Sequence, residues 1–258
     1  AGASLVGNAS CDFTDAGTLT LTERILNPKE LQINVDLCKK DLLADWQAAQ
    51  MRAGAHNRDM SGDFTAFVMS YLSGTIADAV ETSIWSGAEA TAGQFEGFLT
   101  ASTGYFANDT LGGEVDNADG AGVAFTASNI IANLQALVAG VPAQVYTKDD
   151  LYIYMNAKSY RFYISAISAL SAFPFNHMGQ YSPEFEGVKI AVCQGMPDNT
   201  MVAAQKSNLF FGTDLVSDHS EIRMLDMADL DGSDNIRVVA KFTGGVQHGI
   251  GADITRID

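Results

Sequence analysis

The chain has 258 residues, of which 47% are hydrophobic and 18% charged, and its formal net charge is −16. This length and apolar content suffice for one large or two small packed domains, and they exclude intrinsic disorder and collagen-like repeats. No stretch approaches the roughly 20 consecutive apolar residues of a membrane-spanning helix, so the sequence predicts a soluble protein without a membrane partner. The excess of carboxylates argues against nonspecific nucleic-acid binding, which needs Lys and Arg to neutralise phosphates.

A β-hairpin is the first predicted element, over residues 17–40. Apolar and polar residues alternate strictly over 18–21 and again over 31–37, which is the period of two that half-buried strands show. Asn27-Pro28 predicts the turn between these two runs, because proline fixes φ and removes a hydrogen-bond donor. An isolated two-stranded hairpin is marginal in water, so we expect this one to lie against another surface.

Helical periodicity is strongest over residues 64–84, where apolar side chains recur at i, i+3, i+4 and i+7 for about six turns. Phe67 and Leu72 are expected core positions of this helix. Gly87 is expected to end the helix in the left-handed conformation. A shorter helix is expected before it, over residues 39–51.

The second half of the chain predicts short helices and strands in mixed order, without the regular alternation of a doubly wound fold. Helices are expected from residues 126–128 to Gly140 and over 157–170. Strands are expected over 151–155, 188–193, 201–204, 221–227 and 235–242, with further glycine-interrupted strand over 242–254. Asp231-Gly232 predicts a tight turn between the strands before and after it.

No local arrangement of residues predicts a catalytic, cofactor-binding or metal site. The histidines lie far apart, and the three cysteines form neither a metal motif nor a disulfide framework. The acidic residues over 226–234 suggest a calcium loop, but an EF-hand frame puts Met227 and Val238 at ligand positions, so a polar hairpin turn is favoured. An enzyme assembled from distant residues and a calcium-binding module remain open as alternatives.

Charge is distributed unevenly along the sequence. Residues 59–147 contain no Lys or Arg but ten Asp and Glu residues. The hairpin region carries Arg24, Lys29, Lys39 and Lys40. Opposite charges therefore favour attraction between copies of the chain, with the hairpin of one copy against the acidic surface of another. An acidic face that only confers solubility is the alternative.

Four blocks of residues resemble, in order along the chain, the major capsid proteins of tailed bacteriophages, most closely those of crAss-like and related phages. The first block, over 22–46, begins TERILNPKELQINVDL, and the second contains ETSIWSG and GQFEGF over 81–98. The third and fourth blocks are KSNLFFGTDL over 206–215 and RVVAKFTGGV over 237–246. The resemblance covers the chain from about residue 20 to its end.

That family has the Hong Kong phage shell fold, so the resemblance implies an α+β architecture with a long spine helix. It implies the following division of the chain: an N-terminal arm over 1–16, an E-loop hairpin over 17–40, a peripheral domain over 41–122 with its spine helix over 63–86, an axial domain over 123–220, and return strands of the peripheral domain over 221–258.

The resemblance also implies a structural protein and not an enzyme. Such proteins self-assemble into hexamers and pentamers of an icosahedral virion capsid, which forms in the host cytoplasm and encloses double-stranded DNA without binding it specifically. Portal, scaffold and decoration proteins are the further partners implied. The E-loop would contact a neighbouring subunit through Arg24, Asn27, Lys29 and Glu30, with Lys29 in a salt bridge. An encapsulin-type compartment shell is the alternative.

Overall fold

The computed structural model describes the greater part of the chain. The described residues are 23–38, 62–100, 104–106, 115–118, 124–169, 183–213, 221–227, 230, 232–233 and 235–258. The predicted arm over 1–16, the first strand of the hairpin over 18–21 and the helix over 39–51 lie outside the described residues.

Helices and strands alternate irregularly along the described part, as predicted. The helices are α1 (Gly62–Ser86), α2 (Ile130–Gly140), α3 (Ala143–Tyr146) and α4 (Ala157–Ala169). The strands are β1 (Lys29–Cys38), β2 (Asp116–Asn117), β3 (Leu151–Met155), β4 (Glu184–Phe185), β5 (Val188–Val192), β6 (Met201–Gln205), β7 (Leu209–Gly212), β8 (Glu221–Asp226), β9 (Asn235–His248) and β10 (Thr255–Ile257). Within the described residues, no helix is long and apolar enough to cross a membrane.

The long strand β9 is the centre of a four-stranded antiparallel sheet. β1 pairs with β9 from Lys29 opposite Gly244 to Cys38 opposite Asn235, and β7 and β8 pair with β9 as well. Because β8 pairs with the same part of β9 as β1, these two strands lie on opposite edges of β9. The apolar side chains of β1 form a small cluster with α1, which confirms the strand predicted over 31–37. The cluster contains Val35, Leu37, Val68, Leu72, Met224, Ile236 and Val238.

The turn predicted at Asn27-Pro28 is wrong. The backbone over 23–28 contains no turn or bend and leads straight into β1. Gln247 of β9 donates from Nε2 to the carbonyl of Ile25 at 3.2 Å, and a Cβ atom on Gly245 would lie 3.0 Å from the Asn27 carbonyl oxygen. The segment therefore continues along β9, because a proline interrupts the hydrogen bonds of a strand without forcing the chain to reverse.

Helix α1 confirms the strongest helical prediction, and one of its faces packs against the four-stranded sheet. Val68 is buried and Leu72 is half-buried, whereas Tyr71 keeps 68% of its surface exposed. The predicted core position of Leu72 is thus only partly correct, and the side chain of Phe67 lies outside the described residues. A large part of the helix surface remains open in the single subunit.

Gly87 follows the last residue of α1, but it does not adopt the left-handed conformation that was predicted. A Cβ atom at this position would lie 2.4 Å from the carbonyl oxygen of Phe95. The loop over 87–99 folds back on the helix end, and the N–H of Phe98 donates to the carbonyl of Ile84 at 3.0 Å. The glycine is required by this close approach, which satisfies a carbonyl that a helix end leaves unpaired.

A six-stranded sheet contains the remaining strands, in the order β2-β10-β6-β3-β5-β4. β3 pairs in parallel with β5 and antiparallel with β6. Helices α2 and α4 pack with this sheet around the largest group of buried side chains, which includes Ile130, Leu134, Leu137, Ile153 and Met155. Strands and helices thus share one apolar core, and the α+β class is confirmed.

After β6, the chain passes from one sheet to the other twice, at positions that differ from the predicted domain boundary at residue 220. β7 was expected in the axial domain but pairs with β9, and β10 was expected among the return strands but pairs with β6. Asn208 joins the two crossings: its Nδ2 donates to the carbonyl of Ile250, and its Oδ1 accepts from the Ile250 N–H, both at 2.8 Å. Such pairing depends on residues that are distant in sequence.

Candidate functional site

The predicted contact residues lie on one extended segment beside β9. Arg24 and Asn27 precede β1, while Lys29 and Glu30 are its first two residues. Asn27, Lys29 and Glu30 are exposed and Arg24 is half-buried. All four therefore lie at the surface, although they are not at the tip of a hairpin.

Lys29 forms an ion pair with Glu89 of the same chain. Glu89 belongs to the loop over 87–99, and its N–H donates to Oε2 of Glu96 at 3.1 Å. The two paired side chains are 48% and 59% exposed, so the pair contributes at most about 1 kcal/mol. Lys29 thus forms a salt bridge within its own subunit, and its contact with a neighbouring subunit stays a prediction.

A groove of about 550 Å³ opens beside the predicted contact residues. Leu26 and Phe210 lie on its walls. Gln247 of β9 pairs directly opposite Phe210 of β7, and its side chain bonds to the segment that precedes β1 and carries Leu26. Because Gly212 of β7 has no side chain, Leu26 can pack closely over the strand. A Cβ atom on Gly212 would lie 2.5 Å from Leu26 Cδ2. The complete lining is Arg24, Leu26, Phe210, Phe211, Gln247, His248, Gly249 and Ile250.

Large apolar side chains are exposed around this groove. Ile25 is 66% exposed, Ile250 is 54% exposed, and Phe210 and Phe211 are each 50% exposed. In the described part of the chain, β7 pairs with β9 on one side, and its other edge has no strand partner. An unpaired strand edge beside exposed aromatic rings is typical of a surface that another protein covers.

The apolar surface around the groove was not predicted from the sequence. The adjacent pair Phe210-Phe211 was the available signal, because successive strand residues point to opposite faces and both cannot enter one core. Phe211 also lies 6.3 Å from the buried Phe95 ring, yet both phenylalanines line the groove and remain half exposed. An exposed apolar surface therefore adjoins the predicted contact residues Arg24, Asn27, Lys29 and Glu30.

Ionisable side chains are held protonated where α1 meets the six-stranded sheet. Burial, followed by the negative charge of Glu81, raises the pKa of the Cys193 thiol to about 11. Burial also raises the pKa of Tyr154 to about 12, and the ring of Trp85 lies 5.4 Å from that of Tyr154. Because a protonated thiol is a poor nucleophile, this arrangement packs the two elements together and does not activate Cys193.

Two carboxylates with lowered pKa values hold loops in place. Lys158 donates to Asp198 at 2.6 Å and lowers the pKa of that carboxyl, to which Asn156 also donates. Hydrogen bonds from Ser207 and Gln205 lower the pKa of Asp150. Both carboxylates thereby stabilise connections between strands and helices.

The described residues contain no group of three or more side chains arranged to hold a metal ion. The calcium hypothesis concerned the acidic residues between β8 and β9, of which Asp229, Asp231 and Asp234 lie outside the described part. Gly232 in this connection has a φ of 75°, and Met227 N donates to the Asn235 carbonyl at 3.0 Å. The two strands are thus joined directly, as predicted, but the connection from Met227 to Asn235 is longer than the tight turn expected at Asp231-Gly232.

No protein-family profile matches the chain, and no curated protein matches its sequence. Solved structures of shells are nevertheless similar to it. A structure of Gordonia phage Cozz is 13% identical with a TM-score of 0.61 over all of this chain and 77% of the other. The capsid of an empty GTA particle is 18% identical with a TM-score of 0.58, over 97% of this chain and 80% of the other.

An encapsulin is also similar to the chain. The holo-SrpI encapsulin complex from Synechococcus elongatus PCC 7942 is 10% identical with a TM-score of 0.53, over 90% of this chain and 73% of the other. At these low identities, the likeness establishes the fold. The chain therefore has the mixed helix-and-sheet fold of phage major capsid protein structures, and the encapsulin structure is similar to it as well.

Proposed function

We propose that this chain is the major capsid protein of a tailed bacteriophage. It self-assembles into hexamers and pentamers of an icosahedral shell in the host cytoplasm, and this shell encloses double-stranded DNA in the virion. The observation that supports this function best is the likeness to phage capsid structures over the whole chain. The closer relation to crAss-like phages rests on the four sequence blocks.

The surface around Arg24, Asn27, Lys29 and Glu30 is the proposed contact with a neighbouring subunit. Its support is the apolar area beside these residues, where Phe210 and other large side chains are exposed in a single chain. Covering such an area in a shell removes apolar surface from water at about 25 cal/mol per Å². Repeated over many subunits, contacts of this kind stabilise an assembly that uses neither a cofactor nor a catalytic site.

The proposed relation to DNA is enclosure without specific binding. The net charge of −16 leaves few cations to pair with phosphates, so the inner wall does not hold the packaged DNA tightly. A portal, a scaffold and a decoration protein are the further proposed partners, because a shell that encloses DNA must be nucleated, filled and sealed.

Electron microscopy of native particles, combined with nuclease treatment, tests this function. We expect closed shells tens of nanometres across that contain this chain as their main protein and protect double-stranded DNA from added nuclease. Particles opened by denaturant are the matched control, in which the same DNA must become sensitive. Native material that contains only one or a few subunits contradicts the proposed function.

An encapsulin-type compartment is the second candidate, and the likeness to the Synechococcus elongatus encapsulin favours it. The same preparation separates the two functions. Closed shells that enclose a cellular protein and protect no DNA support the compartment, whereas shells filled with double-stranded DNA support the capsid.

A further inference from the structure

The connection between β8 and β9 presents an apolar side chain to solvent. Leu230 is 71% exposed, the highest value among the large hydrophobic residues that the structure describes. Its N–H donates to the carbonyl of Met227 at 3.0 Å, and Met227 N donates to Asn235 at 3.0 Å. The backbone around Leu230 is thus closed by hydrogen bonds, and the leucine stands at the apex of a hairpin.

The apex and the groove lie at opposite ends of the same strand. The apex precedes Asn235, the first residue of β9, while Gln247 and His248 at its other end line the groove. The 14 residues of β9 span roughly 45 Å at the usual rise of a strand. Leu230 therefore cannot fill the groove of its own subunit, whereas the apex of a second copy can reach it.

The two surfaces complement each other in polarity and charge. Leu230 is flanked in the sequence by Asp226, Asp229, Asp231 and Asp234. The groove offers the apolar walls Leu26, Phe210 and Ile250, with the cation Arg24 among its lining residues. An apolar residue whose neighbours in the sequence are acidic matches an apolar groove lined in part by a guanidinium, and a volume of about 550 Å³ admits a hairpin apex.

We propose that Leu230 of one copy inserts into the groove between Leu26 and Phe210 of a second copy. The contact deepens the proposed shell function and rests on it. It joins two different surfaces of the same chain, so each subunit donates one apex and accepts another. A head-to-tail contact of this type closes into rings or continues along a lattice, as the subunits of a shell require.

Disulfide trapping tests this contact directly. Full-length chains carrying Leu230→Cys and Phe210→Cys are co-expressed, the sedimenting material is isolated, and diamide is added to oxidise paired thiols to disulfides. We expect a covalent dimer on a non-reducing gel, and a ladder when both changes are in one chain. Ile250→Cys replaces Phe210→Cys as a second groove position. Wild type reports the background from the native cysteines, and Val192→Cys, exposed in the six-stranded sheet, is the matched control partner for Leu230→Cys.

The outcomes separate this contact from the shell function. Shells that form without a dimer above the control overturn the contact and leave the shell function standing. A crosslink from Phe210→Cys alone shows that a segment with a native cysteine occupies the groove, which also overturns it. Absence of any sedimenting shell in wild type overturns both proposals.

A second variant tests the contact independently of crosslinking. Leu230→Asp is expected to raise the concentration required for assembly at least about tenfold, which is the effect of losing one buried leucine. An unchanged concentration contradicts the contact.

Discussion

The Glu81 carboxylate of α1 accepts a hydrogen bond from the backbone N–H of Gln194 at 2.6 Å. The same oxygen accepts from the N–H of Gly195 at 3.2 Å. Hydrogen bonds to a carboxylate are stronger than those between neutral groups, and these two connect the long helix to the loop that follows β5. Together with the contact of Trp85 with Tyr154, they fix the helix relative to the six-stranded sheet.

Replacement of Gly195 by alanine is expected to loosen this connection. A Cβ atom there would lie 2.5 Å from both the carbonyl carbon and the carbonyl oxygen of Glu81, and backbone atoms cannot rotate away. We expect Gly195→Ala to lower the free energy of unfolding by about 1–3 kcal/mol, measured from urea midpoints of the full chain. The matched control is Gly74→Ala inside α1, where a Cβ meets no atom within 4 Å. It should raise stability by about 0.5–1 kcal/mol, and equal effects of the two changes would contradict the close approach at Gly195.

Truncation of core leucines should distinguish the two packing environments. Leu137 in α2 is fully buried, so Leu137→Ala is expected to cost about 2–5 kcal/mol. Leu72 in α1 is half-buried, and Leu72→Ala should cost about 1–2 kcal/mol because less apolar surface is lost. Thermal unfolding of both variants measures the difference. A larger loss at Leu72 than at Leu137 would show that the helix face is buried more deeply than the structure indicates.

Charge reversal at Lys29 separates a contact within the subunit from a contact between subunits. Lys29→Glu places two carboxylates together at Glu89 and should lower stability by no more than about 1 kcal/mol, measured by urea unfolding at low salt. Lys29→Glu with Glu89→Lys restores the ion pair in reversed order and should restore stability. If Lys29 also contacts a neighbour, particle yield stays low in the double variant; a fully restored yield limits Lys29 to its own subunit.

The raised pKa of Cys193 predicts slow thiol chemistry and a pH dependence. Since burial raises this pKa from 9.0 to about 11, the folded chain binds the thiol proton more tightly than the unfolded chain does. The stability from this group is therefore complete below pH 9 and is lost as pH rises towards 11. Labelling of Cys193 by iodoacetamide, followed by peptide mapping, should be slow at pH 9 in the folded chain and fast in urea. Equal rates in both states would contradict the burial.

Local pattern was sufficient to predict most elements. The alternation in Leu151–Met155 is the buried and half-buried alternation of β3, and the apolar repeat over 64–84 lies within α1. Both signals lie in residues that are neighbours along the chain, so a single sequence is enough to detect them.

Pairing between distant segments could not be predicted in the same way. β1 pairs with β9, which places Asp36 opposite Arg237, whereas the local proline suggested a turn and a nearer partner. The bonds of Asn208 to Ile250 likewise follow only from the folded arrangement. Of the proposed contact surface, the charged segment over 24–30 was identified from the sequence, but the groove needs β7 and β9 side by side, and no local pattern indicates that.

Sedimentation velocity of the purified full chain at increasing concentration tests the central claim most directly. A shell-forming subunit is expected to pass cooperatively from small species to particles of uniform, very large mass, since each added subunit covers the apolar surface of its neighbours. A species of one to a few subunits at every concentration, with native material of the same size, would contradict the claim that this chain builds a shell.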